Sequence, residues 1–459
     1  MRTRLGSPSH PGLAELLSLC SIQPRFTTEQ AISAIQSMGP VEASDILGRQ
    51  RCRSIVVARL TPFVAHGAVR RCLELLEPRA ARIRHMHGAL DENLDRISGL
   101  AQKADVRVLA FKGLGARGMY AEPARRDFGD LDLFVKDRAQ ATVLARAIRQ
   151  ELEYTINPDE LPWLKYDSEA RLVYGQINLL APSDRPDFIN VDIHFGDYSV
   201  RHSSRLRLDA HVTFPESPGL SVMAFEENLA SGVNNAAGDH FVTMKDVNDI
   251  LSALALEHFD WGRFQAVVEQ ACLGRFFGFM LAKLRLTSNP DAHQEELLGT
   301  LSRQGGLERA PRLDRPDWGR RCWATTAHAF MSHRSRGLLG AIGIAYDAYG
   351  YYREPLRLTA QPGRETNEIL ERFDMSTCVR LVPVELGRAL PGADGAGLGP
   401  VPMAGHRRSL AADPGIVRTD AETGTFLEID GERFVATVSY RVPTAMLGGA
   451  RVADSLGHA

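Results

Sequence analysis

The stretch Phe111-Lys112-Gly113, followed by Arg126-Asp127-Phe128-Gly129-Asp130-Leu131-Asp132-Leu133-Phe134-Val135, narrows the possible folds more than any other part of the chain. It reads as a strand ending in a Lys-Gly turn, a short helix, and a second strand with two carboxylates one residue apart. Side chains alternate faces along a strand, so Asp130 and Asp132 point the same way, about 7 Å apart along the backbone. Gly-Asp-x-Asp also occurs in turns and Ca²⁺ loops, but Leu131, Leu133, Phe134 and Val135 make this segment a strand. Acidic residues are depleted in strands, and two on one face repel unless a cation compensates them. Two aspartates aimed at one point, beside a Gly turn and basic groups, suit a divalent metal and a nucleoside triphosphate.

A third carboxylate lies in Asn190-Val191-Asp192-Ile193-His194-Phe195. Asp192 and His194 share one strand face, opposite Val191 and Ile193. If this strand runs beside Asp130–Val135, Asp192 completes a three-carboxylate cluster suited to two Mg²⁺ ions. The alternative for Asp192 is a strand-end residue capped by a neighbouring loop. For His194 a structural hydrogen bond fits better than ligation, since Mg²⁺ prefers oxygen.

Lys112-Gly113 stands where strand becomes helix. Glycine lets a phosphate approach the backbone, and a helix N-terminus presents free N–H groups with a partial positive charge. Lys112 adds a point charge for the β- and γ-phosphates. The run lacks the GK[ST] ending of a Walker A loop. Arg126 could clamp phosphate oxygens bidentately. Its alternative is a salt bridge to Asp127 or Glu122, and Arg125 competes for the same role.

Around this centre the chain divides into four parts. Residues 1–103 read as helical, with a capped start at Thr27-Thr28-Glu29-Gln30 and a helix or helix pair over about 66–103. Residues 104–215 carry the order β-α-β-α-β-β, with strands at Val106–Phe111, Asp130–Val135, Leu172–Leu180 and Phe188–Phe195. That order predicts a small mixed sheet with helices against one face, and an α+β fold flanked by N- and C-terminal helical regions. Residues 216–386 return to helical spacing, including Asp246–Leu254 and a helix opened by Asp260. Residues 387–459 begin as a Gly-, Pro- and Ala-rich linker and end in a β-hairpin turned by Asp430-Gly431.

The formal net charge of −2 gives no dedicated nucleic-acid-binding patch. Six scattered cysteines without a CxxC pair offer neither a zinc site nor a disulfide framework. No apolar run reaches membrane-spanning length, and the N-terminus lacks the pattern of a signal peptide, so a cytoplasmic location and no membrane partner are expected.

The run KGLGARGMYAEPARRDFGDLDLFV resembles the signature of the uncharacterised nucleotidyltransferase family in the DNA polymerase β-like superfamily. Lys112, Gly113, Tyr120, Arg126, Asp130 and Asp132 match it residue by residue. Asp192 and His194 match a later Asp-x-His strand, and Lys245–Ala271 resembles the helical part that follows. The likeness covers about 105–285. Two departures stand out: the usual Gly-Gly or Gly-Ser appears as Lys-Gly, and Phe195 follows His194 where Trp is common. The resemblance implies transfer of a nucleoside monophosphate from an NTP to a hydroxyl acceptor, a small molecule or peptide, with release of pyrophosphate. Asp130, Asp132 and Asp192 would be catalytic and would hold Mg²⁺; Lys112, Gly113 and Arg126 would bind the nucleotide. The rival expectations are a toxin-like transferase acting on tRNA and a catalytically silent nucleotide-binding or scaffold protein.

Overall fold

The computed structural model describes residues 11–157, 163–167, 172–185, 187–196, 206–301, 310–332, 337–353, 380–383, 417–420, 424–429 and 431–437. The stretch after Gly387 expected to be a linker lies outside these residues up to residue 416.

Before the first strand come α1 (Leu13–Ser18), α2 (Thr28–Met38), α3 (Pro40–Arg49), α4 (Arg53–Leu60), α5 (Gly67–Gly88) and α6 (Leu90–Lys103). Thr27 caps α2 through a reciprocal pair: its hydroxyl accepts from the Gln30 N–H, and the Gln30 side chain accepts from the Thr27 N–H. Ala31, Ile32 and Ile35 form its buried face. Of the helix or helix pair expected over about 66–103, the structure has the pair, broken at Ala89.

The sheet contains β1 (Arg107–Ala110), β2 (Asp130–Val135), β3 (Thr155–Ile156), β4 (Trp163–Asp167), β5 (Leu172–Leu180), β6 (Asn190–Phe195) and β7 (Gly219–Val222). Its order is β3-β5-β6-β2-β1-β7, with β4 also paired to β5. The helices α7 (Lys112–Arg117) and α8 (Arg138–Leu152) follow β1 and β2. The pairing is mixed: β2 runs parallel to β6 and antiparallel to β1, and β7 runs parallel to β1. This is the expected α+β architecture. Three strands escaped the sequence pattern. β3 is two residues long, and β4 and β7 are short and lack a run of apolar residues.

The sheet is covered on both faces rather than on one. Leu131, Leu133 and Val135 of β2 join Val191, Ile193 and Phe195 of β6 in a core closed by α6 and α8. The other face carries the carboxylates, yet Leu109, Phe111 and Phe134 also lie on it and pack into a second, helical core. A strand buried on both sides accounts for the nearly continuous apolar run in β2.

That second core is shared. The helices α9 (Phe225–Asp239), α10 (Met244–Leu254), α11 (Trp261–Gln270) and α12 (Gly274–Thr287) interleave with α1–α5 in one apolar cluster. Polar stitches cross it: the Asn248 amide donates to the Cys20 carbonyl at 2.8 Å, and the Ser21 and Ser288 hydroxyls pair at 2.7 Å. Asp260 caps α11 as expected, accepting from the Arg263 N–H at 2.9 Å. Among the described residues three more helices follow, α13 (Ala292–Leu301), α14 (Trp318–Ser332) and α15 (Leu338–Arg353).

At the C-terminal end the expected hairpin forms between β10 (Gly424–Ile429) and β11 (Glu432–Thr437), with Gly431 at φ 81. It belongs to a four-stranded sheet, flanked by β8 (Arg380–Pro383) and β9 (Val417–Asp420). Leu381, Leu427 and Phe434 join the α6–α8 core.

Candidate active site

The parallel pairing of β2 with β6 sets Asp132 directly opposite Asp192 and Phe134 opposite His194. On the other side of β6, Asn178 of β5 stands opposite Asp192 and Gln176 opposite His194. One face of three adjacent strands therefore presents Asp130, Asp132, Asp192, His194, Asn178 and Gln176. Each of Asp132, Asp192 and His194 offers a ligand atom within 4.8 Å of the others. Two of the three sequence-predicted carboxylates, Asp132 and Asp192, thus come together with His194 as the third group, and Asp130 lies one step further out at the start of β2.

Lys112 closes the arrangement from above. It sits at φ 50, in the left-handed region that non-glycine residues seldom adopt, where β1 hands over to α7. The turn aims its ammonium at Asp132 Oδ1, 2.5 Å away, and at His194 Nε2, 3.2 Å away. His194 Nε2 also lies 3.0 Å from Asp132 Oδ1. That nitrogen can serve only one contact at a time, as acceptor from Lys112 or as donor to Asp132. Phe111 stacks edge-on against the His194 ring, with centroids 5.0 Å apart, and fixes its plane. The Asn178 amide donates to Asp192 Oδ1 at 2.9 Å.

The electrostatics separate the two strand carboxylates. Burial works against the charge on Asp132, but Lys112 and then His194 outweigh it and hold the carboxyl down at about 2. For Asp130 the loss of surrounding water, and after it the Asp132 charge, raise the carboxyl above its usual range. Lys112, Arg51 and Lys245 pull in the opposite direction. A site that raises one carboxylate through its neighbour's charge gains from an added cation. The Lys112 ammonium stands where such a cation would be drawn. The donor atoms that lie together are two carboxylates and one imidazole, those of Asp132, Asp192 and His194, a set that can hold a divalent ion.

A cavity of about 1420 Å³ opens over this face. Its walls include Lys112, Gly113, Asp130, Asp132 and Asp192, with Asn157, Gln176, Asn178 and Asn190 along the sheet. Gly113 lines it, but its missing Cβ has a packing reason as well: a methyl there would lie 2.5 Å from the Phe128 Cβ. Arg126 also lines the cavity, with its guanidinium engaged. Nε and Nη2 donate to the two Asp249 oxygens at 2.6 and 3.0 Å, and Nη1 donates to the Asp127 carbonyl at 2.5 Å. Tyr120 donates its hydroxyl to the same Asp249 oxygen at 2.6 Å. Burial alone would lower the Arg126 guanidinium, but Asp249 and then Tyr120 more than reverse it and raise it above its ordinary value.

Asp249 was not legible as a site residue. It lies inside the amphipathic run of α10, whose spacing reports only a packed helix. Two acids three residues apart on that helix, Asp246 and Asp249, were the available signal. Asn178 was hidden in the same way, as one amide in an otherwise apolar strand. Arg51, Arg53, Arg79 and Lys245, also on the cavity wall, were lost among the many arginines or on unremarkable helices.

Among the described residues, no helix is long and apolar enough to cross a membrane. Neither the curated proteins nor the solved structures provide a match to the chain. The uncharacterised nucleotidyltransferase family matches residues 46–287, more than half of the chain. That span begins well before the residue-105 limit of the sequence resemblance, taking in α4, α5 and α6 with the strands. The chain belongs to the uncharacterised nucleotidyltransferase family.

Proposed function

We propose that the protein transfers a nucleoside monophosphate from an NTP to an acceptor hydroxyl, with Asp130, Asp132 and Asp192 holding Mg²⁺ and pyrophosphate leaving. The observation that carries this reading is the strand register that sets Asp132 opposite Asp192 on the floor of the large cavity, with Lys112 above them. Bound there, the metal would supply charge neutralisation on the phosphates and a more acidic acceptor hydroxyl.

The chain's own groups do the rest. Asn178 orients Asp192 by donating to its Oδ1. Lys112 has a flexible four-carbon stem, so its ammonium can leave Asp132 for a phosphate oxygen when a metal takes its place. Gly113 presents main chain to the same space. Arg126 works differently: its pair with Asp249 ties the loop before β2 to α10, so it positions the carboxylate strand. In-line alignment and neutralised charge supply most of the catalysis in phosphoryl transfer, and Lys112 with the bound metal would supply the neutralisation here.

The test is incubation of the protein with Mg²⁺, each labelled NTP and a cell lysate, reading pyrophosphate release and the mass of whatever acquires a nucleotide. Asp130→Asn and Asp132→Asn are each expected to abolish transfer and leave the circular-dichroism spectrum unchanged. Wild-type turnover in both variants would sink the assignment.

A further inference from the structure

Three arginines on the cavity wall come from the N-terminal helices. Arg51 sits in the corner between α3 and α4, Arg53 opens α4, and Arg79 lies on α5. Among the described residues, none of the three pairs with a carboxylate. They crowd one another: burial first, then Arg79 and Arg51, lower the Arg53 guanidinium, with Asp127 as the chief opposing charge. Like charges held together on one cavity wall, with Arg53 partly buried between two exposed neighbours, carry a cost that a bound polyanion removes.

The wall is built rather than loose. Arg51 is held at φ 57, a conformation disfavoured for a side chain with a Cβ. The corner keeps it there because the preceding residue, Gln50, is anchored. Its side-chain oxygen accepts from Lys283 at 2.9 Å and from the Met244 N–H at 3.1 Å, and its carbonyl accepts from the Lys245 N–H at 3.2 Å. On the far side of Arg53, the Ser54 N–H donates to Asp127 Oδ2 at 3.0 Å. The corner is thus tied both to α10 and to the loop that leads into β2. Arg51 also lies close enough to Asp130 to lower its carboxyl.

We propose that Arg51, Arg53 and Arg79 form a polyphosphate-binding wall that grips the triphosphate tail of the nucleotide while its α-phosphate lies over the aspartates. This rests on the nucleotidyl-transfer reading above. Guanidinium groups match phosphate oxygens in bidentate geometry, and three of them suit a tail that departs as pyrophosphate. The N-terminal helices then belong to the nucleotide site.

Calorimetric titration of the full chain tests this, with inorganic tripolyphosphate, an NTP and the matching NMP as probes. Arg51→Gln and Arg79→Gln each remove a solvent-exposed side chain; Arg53→Gln and Arg53→Lys complete the set. Each Gln variant is expected to weaken tripolyphosphate and NTP about tenfold and leave NMP unchanged. Asp130→Asn should still bind tripolyphosphate without added metal. Wild-type affinity for tripolyphosphate in Arg51→Gln and Arg79→Gln would overturn the wall. Loss of tripolyphosphate with unchanged NTP affinity would overturn its assignment to the nucleotide and give the wall to an acceptor's phosphate. Arginine-dependent tripolyphosphate binding with no Mg²⁺-dependent pyrophosphate release from any NTP would leave the wall standing and overturn nucleotidyl transfer.

Discussion

Lys283 is a buried ammonium, 1% exposed, that donates to the Gln50 side-chain oxygen and to the carbonyls of Val242 and Leu313. Burial brings it down to about 8. Between that value and the ordinary 10.5 of a free lysine, the unfolded chain holds more protons than the folded one. Stability therefore rises with pH across the window, by about 3 kcal/mol in total. Below pH 8 both states are charged and the burial cost is carried in full. Denaturant titrations at pH 8 and pH 10.5 check this, and Lys283→Met is expected to remove that rise; an equal climb in the variant would contradict it. Lys283 could not be read from the sequence, because a lysine on an apolar helix looks like an exposed one until its neighbours are known. Asp130, Asp132, Asp192 and Lys112 were readable for the opposite reason. Charges inside short apolar strands, or at a strand's end before a glycine, contradict local propensity, and such contradictions mark sites.

Between elements, the Arg126–Asp249 pair joins the loop before β2 to α10, with Tyr120 as a third member. Removing one partner leaves a buried charge uncompensated, so Asp249→Leu is expected to cost about 3 kcal/mol or more of stability. The double variant Arg126→Leu with Asp249→Leu should lose less than the two single losses combined. Chemical denaturation of all four proteins closes the cycle, and strict additivity would remove the coupling. The strand-helix-strand of β1, α7 and β2 was legible because each element is short and sharply bounded. The partner of Arg126 was not, since Asp249 lies more than a hundred residues away, and hydrophobic periodicity carries no information about pairs so distant.

Over the whole molecule, α1–α5 and α9–α12 fill one apolar core on the carboxylate side of the sheet. The stretch from α1 to α5 thus supplies more than a third of a shared interior. A chain starting at residue 104 is expected to lose cooperative unfolding and to bind hydrophobic dye, because Val247, Ile250, Leu251 and Phe276 would lose their cover. A sharp thermal transition in that truncation would count against this. The sequence indicated helices before and after the sheet from their spacing, but amphipathic faces do not say which faces meet.

The register of β2 against β6 has a consequence for anyone wishing to label this protein. Asp132 and Asp192 stand opposite each other through direct strand pairing, so the length of chain between them does not set their separation. The turn joining β5 to β6 exposes Ser183 and Asp184. Extra residues accommodated there would lengthen the tip of a hairpin and leave its ladder in step. A fluorescent or affinity tag spliced into that turn can report on the working protein without moving either aspartate.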